Sequence, residues 1–152
     1  MEFIVFLDRI EIEIIRIVEE AGYSIKENSS LCLLSEKYAG FLIKKDKKIV
    51  ICTDNAKKRE GYTNRSNQNN DIFERTAIHI KKALRHEAVH VAQECNNGNL
   101  LEINNSLAIN KTKLDALRGS KDISGEEEKE RQAYILEDKP KLLKEKLEKY
   151  CL

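Results

Sequence analysis

Long apolar runs are missing from this sequence. No segment approaches the ~20 consecutive apolar residues that a membrane-spanning helix needs, so no membrane partner is expected. The first apolar stretch, Phe3–Leu7, is too short for the core of a secretory signal and runs directly into Asp8 and Arg9. Net charge is nearly absent as well. The formal charge is +1, and the basic clusters Lys44–Lys48 and Lys57–Arg59 read as solvated loops, so no nucleic-acid partner is expected. The four cysteines, Cys32, Cys52, Cys95 and Cys151, include no C-x-x-C pair and have irregular spacing. That pattern leads to the expectation of reduced, partly buried thiols in a cytoplasmic protein. Histidine is scarce too, with three in the chain: His79, His86 and His90.

What is present suffices for one core. A chain of 152 residues with 41% hydrophobic and 35% charged residues fits a single domain over 1–152 with a heavily charged surface. Leu7, Ile10, Ile14, Ile17, Val18 and Ala21 recur at helical spacing, which predicts an amphipathic helix over 3–21 stopped by Gly22. The run Phe3–Leu7 could instead open as a strand. Residues 31–53 read as β: the apolar run Leu31–Leu34, then Gly40–Ile43 and Ile49–Cys52 flanking a turn around Asp46. The polar stretch 54–70 reads as a long loop. Asp71 with Glu74 resembles a capping box at the start of a long helix reaching Glu94 or Cys95, ended by Asn96-Asn97-Gly98. A further helix is expected over 105–118. Ser124 with Glu127 would cap another through about Glu137, and Pro140 suits the first turn of a last helix.

The sequence His86-Glu87-Ala88-Val89-His90 carries the chemistry. Two histidines four apart on a helix project from one face, about one turn from each other, and can grip one zinc ion. The glutamate after the first lies where it can take a proton from a zinc-activated water. Winding the helix places Phe73, Ala77, Ile80, Leu84, Ala88, Val91 and Cys95 on one apolar stripe. Glu87 falls inside that stripe, with His86 and His90 along its edge. A carboxylate on a core-facing stripe is costly and therefore needs a reason. His79 lies seven residues before His86, ~10 Å along the axis, too far to share an ion.

A hydrolytic zinc site needs a third protein ligand. Gln93 and Asn96 occupy the places where a metzincin would carry its glycine and third histidine, and Cys95 projects away from the pair. A carboxylate is left, and the acidic helix after residue 124 offers Glu127, Glu130 and Glu137 on one face, together with Tyr134. Ala133 beside Glu130 would allow two helices to approach closely. Glu127 is otherwise explained as a capping partner, and Glu137 sits near the helix end.

With these residues in view, the chain resembles the gluzincin metallopeptidases. His86-Glu87-Ala88-Val89-His90 followed by Glu130-Arg131-Gln132-Ala133 is similar to the active-site and glutamate helices of the CAAX-prenyl-protease-like and minigluzincin peptidases, whose fuller pattern is E-x-E-A-D. The resemblance covers about a third of the chain, and Gln132 and Tyr134 depart from it. It implies that Glu130 is the third metal ligand beside His86 and His90. It implies a zincin-like arrangement, with a small sheet before the long active-site helix and a glutamate-bearing helix after it; joined to the N-terminal and C-terminal helices read from the sequence pattern, and with the sheet three-stranded, the expected fold is α+β. It also implies a zinc-dependent peptidase with one zinc ion as cofactor, Glu87 as general base and a peptide or protein as substrate. An edge strand, expected at Ile49–Cys52, would border the cleft. Tyr134 or Tyr62 is expected to donate a hydrogen bond to the oxyanion. Two rival readings differ in class. One is a metal-binding regulator or interaction protein with little general proteolysis; the other is an α+β interaction domain carrying the motif by chance.

Overall fold

The computed structural model describes residues 1–63, 70–103 and 126–152. The expected helix over 105–118, the capping residue Ser124 and the Asn-rich stretch 64–69 lie outside them. Among the described residues the protein is α+β, with five α-helices and one small mixed sheet.

The N-terminus does not form one continuous helix. Glu2–Phe6 is a 3-10 turn that buries Phe3 and Phe6, and the Glu27 carboxylate accepts the backbone N–H groups of Glu2 and Phe3 at its start. α1 then runs Arg9–Glu20. Asp8 and Glu11 form a reciprocal capping box at its start, which is why the helix begins two residues beyond the apolar run.

The sheet has three strands, as expected, but not the three expected. They are β1 (Ser24–Glu27), β2 (Gly40–Ile43) and β3 (Lys48–Ile51), in the order β1-β3-β2. β1 pairs parallel to β3, and β2 pairs antiparallel to it through the turn at Asp46. β3 is therefore central, and β1 and β2 are the two edges, so the strand at Ile49 is not an edge strand. Ile49 and Ile51 face the main core while Val50 packs on the opposite face with Cys32 and Cys52. Such two-sided burial suits a central strand. Leu31–Leu34 is not a strand but part of a 3-10 turn, Ser30–Leu34, capped by Ser29. Leu33 and Leu34 are exposed there, so the run was apolar without being core.

Residues after β3 form α2, Thr53–Glu60, where a loop was expected. Its only buried apolar residue is Ala56, and its buried Asn55 donates to the carbonyls of Cys32, Ser35 and Tyr38. The long α3 runs Asn70–Cys95. Asp71 lies inside its first turn and pairs with Arg75 rather than acting as the N-cap. α3 ends in a Schellman motif with Asn97 at φ 60°, where the Gly98 N–H reaches the Gln93 carbonyl and the Asn97 N–H that of Glu94. α4 (Glu127–Leu136) follows Glu126, so Glu127 opens the helix instead of closing a capping box. α5 is Pro140–Cys151, with its proline in the first turn as expected.

The cysteines correct the sequence reading. Cys32 is bridged to Cys52 and Cys95 to Cys151, and none is free. The Cα separations of 5.6 and 5.2 Å lie within the range a disulfide spans. The irregular sequence spacing concealed both pairs because each joins elements brought together only by the fold. No helix among the described residues is long and apolar enough to cross a membrane.

Candidate metal centre

The apolar stripe on α3 is buried as wound: Ala77, Ile80, Leu84, Ala88 and Val91 all lie in the core. Glu87 is buried with them, only 8% exposed, while His86 and His90 sit at the stripe's edge with 14% and 13% of their side chains exposed. The edge faces α4. There the Glu130 carboxylate reaches both rings, with Oε2 3.1 Å from His86 Nε2 and Oε1 2.8 Å from His90 Nε2. Ligand atoms of His86, His90 and Glu130 all lie within 4.8 Å of one another, and the group could hold a metal ion.

The donor set fits a four-coordinate ion with an open position. Zinc bonds of about 2.0–2.2 Å in a tetrahedron put ligand atoms roughly 3.3–3.6 Å apart, so a group already within 4.8 Å would have to draw in around an ion. Both rings also turn their other nitrogen to a partner. His86 Nδ1 lies 3.5 Å from Glu137 Oε1, and His90 Nδ1 lies 2.8 Å from Gln93 Oε1. Such partners on Nδ1 leave Nε2 for an ion. Glu137 therefore sits behind a histidine rather than among the ligands, and Glu127 takes no part in the cluster. Arg85 holds the Glu137 position from below: its Nη1 donates to the Glu137 carbonyl and its Nε to the fully buried Glu11 carboxylate. One cation thus ties the start of α1 and the end of α4 to the turn carrying His86.

The electrostatics follow from this packing. For His86, burial opposes the charged ring, but hydrogen bonds to Glu130 and Glu137 and the charge of Glu87 outweigh it; the pKa is pushed up to about 10. For Glu130, burial works to raise the carboxyl. The hydrogen bonds from His86 and His90 prevail and hold it well below the usual carboxylate range. Glu87 goes the other way. Burial pushes its carboxyl up, and the nearby histidines oppose this without overcoming it.

Gly40 explains how Glu87 is covered. A Cβ on Gly40 would lie 2.9 Å from the Val50 carbonyl, 3.6 Å from Glu87 Cγ and 3.7 Å from Ala83 Cβ. β2 thus crosses α3 in contact with Glu87 at the motif, while the Val50 carbonyl of the adjacent strand is what leaves room for glycine alone.

The tyrosines separate clearly. The Tyr134 ring packs edge-on to His86 with centroids 4.6 Å apart. Tyr62 is buried against Phe6 and Phe73, and Phe73 precedes His86 by roughly 20 Å of helix. Tyr62 is a core residue, not a neighbour of the site. His79 likewise stands apart, paired with Glu60 of α2 at 2.9 Å. Two surface clefts, of about 490 and 410 Å³, meet at Tyr23 and Lys47 and include none of the ligand residues.

Sequence reasoning missed Gly40, Gln93, Gln132 and Arg85, and weighed Glu137 only as a ligand. Gln93 could have been found, because it lies three residues after His90 and so on the same helical side.

An α+β protein with a buried His-His-Glu cluster on two packed helices is the class these features define. The chain belongs to the family described as Domain of unknown function (DUF8637), which matches residues 3–152. No curated protein and no solved structure matches it.

Proposed function

We propose that the protein is a zinc-dependent hydrolase that cleaves peptide bonds and that its helices and sheet form a zincin-like arrangement of the gluzincin type. The observation that carries this reading is the convergence of His86, His90 and Glu130 on one point, with the buried Glu87 one residue from the first ligand. A zinc ion held there supplies a Lewis acid for a carbonyl and makes water nucleophilic at neutral pH. The rest of the work falls to the chain's own groups. Glu87 takes the proton of the attacking water on its carboxylate and returns it to the leaving amine; a base whose carboxyl is raised by burial suits that exchange. Tyr134, packed on His86, is the tyrosine positioned to donate to the oxyanion.

The edge strand β2 supports a peptide as substrate. The Cys52 N–H bonds to the Ala39 carbonyl, and Gly40 lies opposite Ile51. Antiparallel pairing then alternates so that Phe41 and Ile43 turn their backbone groups to β3, while Gly40 and Leu42 turn theirs to the outer edge. An extended peptide added at that edge would run beside the motif turn of α3. The expectation of a cytoplasmic protein rested on the missing signal and membrane-length runs, and the expectation of reduced cysteines followed from it. With both pairs bridged, an oxidising compartment suits the fold better.

The test is metal analysis of protein purified without chelator, followed by a peptide-library assay. We expect about one zinc per chain, lost in His86→Ala and His90→Ala. Glu87→Gln should keep the metal and lose peptide hydrolysis. Wild-type protein that refuses added zinc would overturn the proposal. Zinc uptake with no cleavage of any peptide would favour a metal-binding regulator.

A further inference from the structure

We infer that two buried side-chain amides, Gln93 and Gln132, form a relay that fixes which ring nitrogen of His90 is offered to the metal. The inference rests on the proposed metal site and adds positioning residues to it.

A side-chain amide can present either oxygen or nitrogen in one direction, so its orientation is decided by partners whose roles are fixed. Backbone groups are such partners. Leu101 meets Gln132 twice: its N–H donates to Oε1 at 3.0 Å, and its carbonyl accepts from Nε2 at 2.8 Å. Only one orientation of Gln132 satisfies both. Gln132 Oε1 therefore faces Gln93, whose Nε2 donates to it at 3.1 Å. The second N–H of Gln93 goes to the Lys129 carbonyl, also at 3.1 Å. Both protons of that amide nitrogen are thereby committed. The Gln93 oxygen is left facing His90 Nδ1 at 2.8 Å, and an acceptor there requires Nδ1 to carry the proton. Nε2, 2.8 Å from Glu130, is the nitrogen left to bond an ion.

Burial gives the relay its force. Gln93 is 2% and Gln132 8% exposed, so a flipped amide would bury mismatched donors and acceptors without water to repair them. The relay also joins three separate segments at one ligand: the end of α3, the chain after it at Leu101, and the ligand-bearing helix α4. His86 is set differently, by the charged Glu137 rather than by an amide. Neither glutamine is among the three residues that could hold an ion, so both are positioning residues.

The test reads the histidine proton directly. In metal-free, ¹⁵N-labelled wild type, NMR should show the His90 Nδ1–H protected from exchange with water. Gln93→Leu should lose that protection and weaken zinc binding about 10- to 100-fold. Gln132→Leu, which removes only the far link, should give a smaller loss of both. A bare Nδ1 on His90 in the wild type would overturn the relay. So would a folded Gln93→Leu protein binding zinc within twofold of wild type. If Gln93→Leu does not fold, the wild-type spectrum and Gln132→Leu decide. Wild type with a protected Nδ1–H that binds no zinc upholds the relay and overturns the proposed function instead.

Discussion

The two sides of one turn of α3 treat a buried carboxylate in opposite ways. Toward α4, Glu130 enters a pocket already holding two imidazoles, and their hydrogen bonds keep it ionised well below the usual range. Toward β2, Glu87 lies beneath a glycine on an apolar stripe, and burial raises its carboxyl. Both residues are 8% exposed to solvent, so exposure is not the difference. Direct hydrogen-bonded partners are. Around one turn of α3 the fold thereby gathers one carboxylate suited to holding a cation, from α4, and another suited to exchanging a proton, from α3 itself.

The largest effect should come from breaking the α4 side. Glu130→Ala should weaken zinc on the order of 100-fold or more, since two imidazoles alone hold the ion poorly. Glu87→Gln should leave affinity within a few fold, as measured by competition with a chromogenic chelator. Equal losses in the two variants would erase the contrast. The same side has a pH signature. In the metal-free protein the His86 pKa is raised from 6.5 to about 10, so its ion pairing contributes fully below about 6.5 and is lost as pH rises through about 10. A zinc ion held as proposed would replace that proton. Zinc binding at pH 7 should therefore release protons, visible by calorimetry in buffers of different ionisation enthalpy, and the stabilisation by zinc should grow between pH 6.5 and 10.

A smaller effect tests the β2 side. Gly40→Ala places a methyl 2.9 Å from the Val50 carbonyl, so β2 and β3 must shift apart beside Glu87. We expect a loss of about 1–3 kcal/mol in urea unfolding, the usual range for overpacking. Peptide hydrolysis should fall while zinc affinity stays near wild type, because the histidines face α4. Loss of zinc instead would mean that the two sides are not independent.

The same division governs what the sequence disclosed. The α4 side was legible because helical periodicity carries ligand geometry directly: His86 and His90 four apart, and Ala133 permitting a close helix. Which glutamate completed the set was not decided by periodicity, since Glu127, Glu130 and Glu137 shared the face; the resemblance singled out Glu130. On the β2 side the hairpin of β2 and β3 was read from its apolar runs, but the elements and contacts around it were not. β1 has one buried residue, Ile25, and exists through its parallel pairing with β3. α2 buries one apolar side chain, too few to raise a helical pattern. Gly40 reads as a strand glycine until Val50 and Glu87 are seen around it. The disulfides were hidden for the same reason: Cys95 and Cys151 are separated by 56 residues, and only the packing of α5 on α3 brings them together.

The smallest effect concerns Glu87 itself. Its raised pKa means that the protonated carboxyl suits the folded state better than the ionised one. The favourable contribution is fully present below about 4.5, the unfolded value, and is lost as pH rises through the higher folded value. At neutral pH, well above the unfolded value, burying Glu87 therefore costs the metal-free wild type stability, part of which the neighbouring imidazoles offset. Gln has a similar shape and no charge. Glu87→Gln should then be more stable than wild type near pH 7.5, by about 1 kcal/mol, at the low end for buried polar groups because of that offset. Near pH 4.5 the wild-type carboxyl holds its proton in the fold and the gain should shrink toward zero. Urea unfolding of both metal-free proteins at the two pH values measures the difference. A gain that is the same at both values would show that the amide stabilises through packing or hydrogen bonding. In that case burial of charge would not be what distinguishes Glu87 from Glu130.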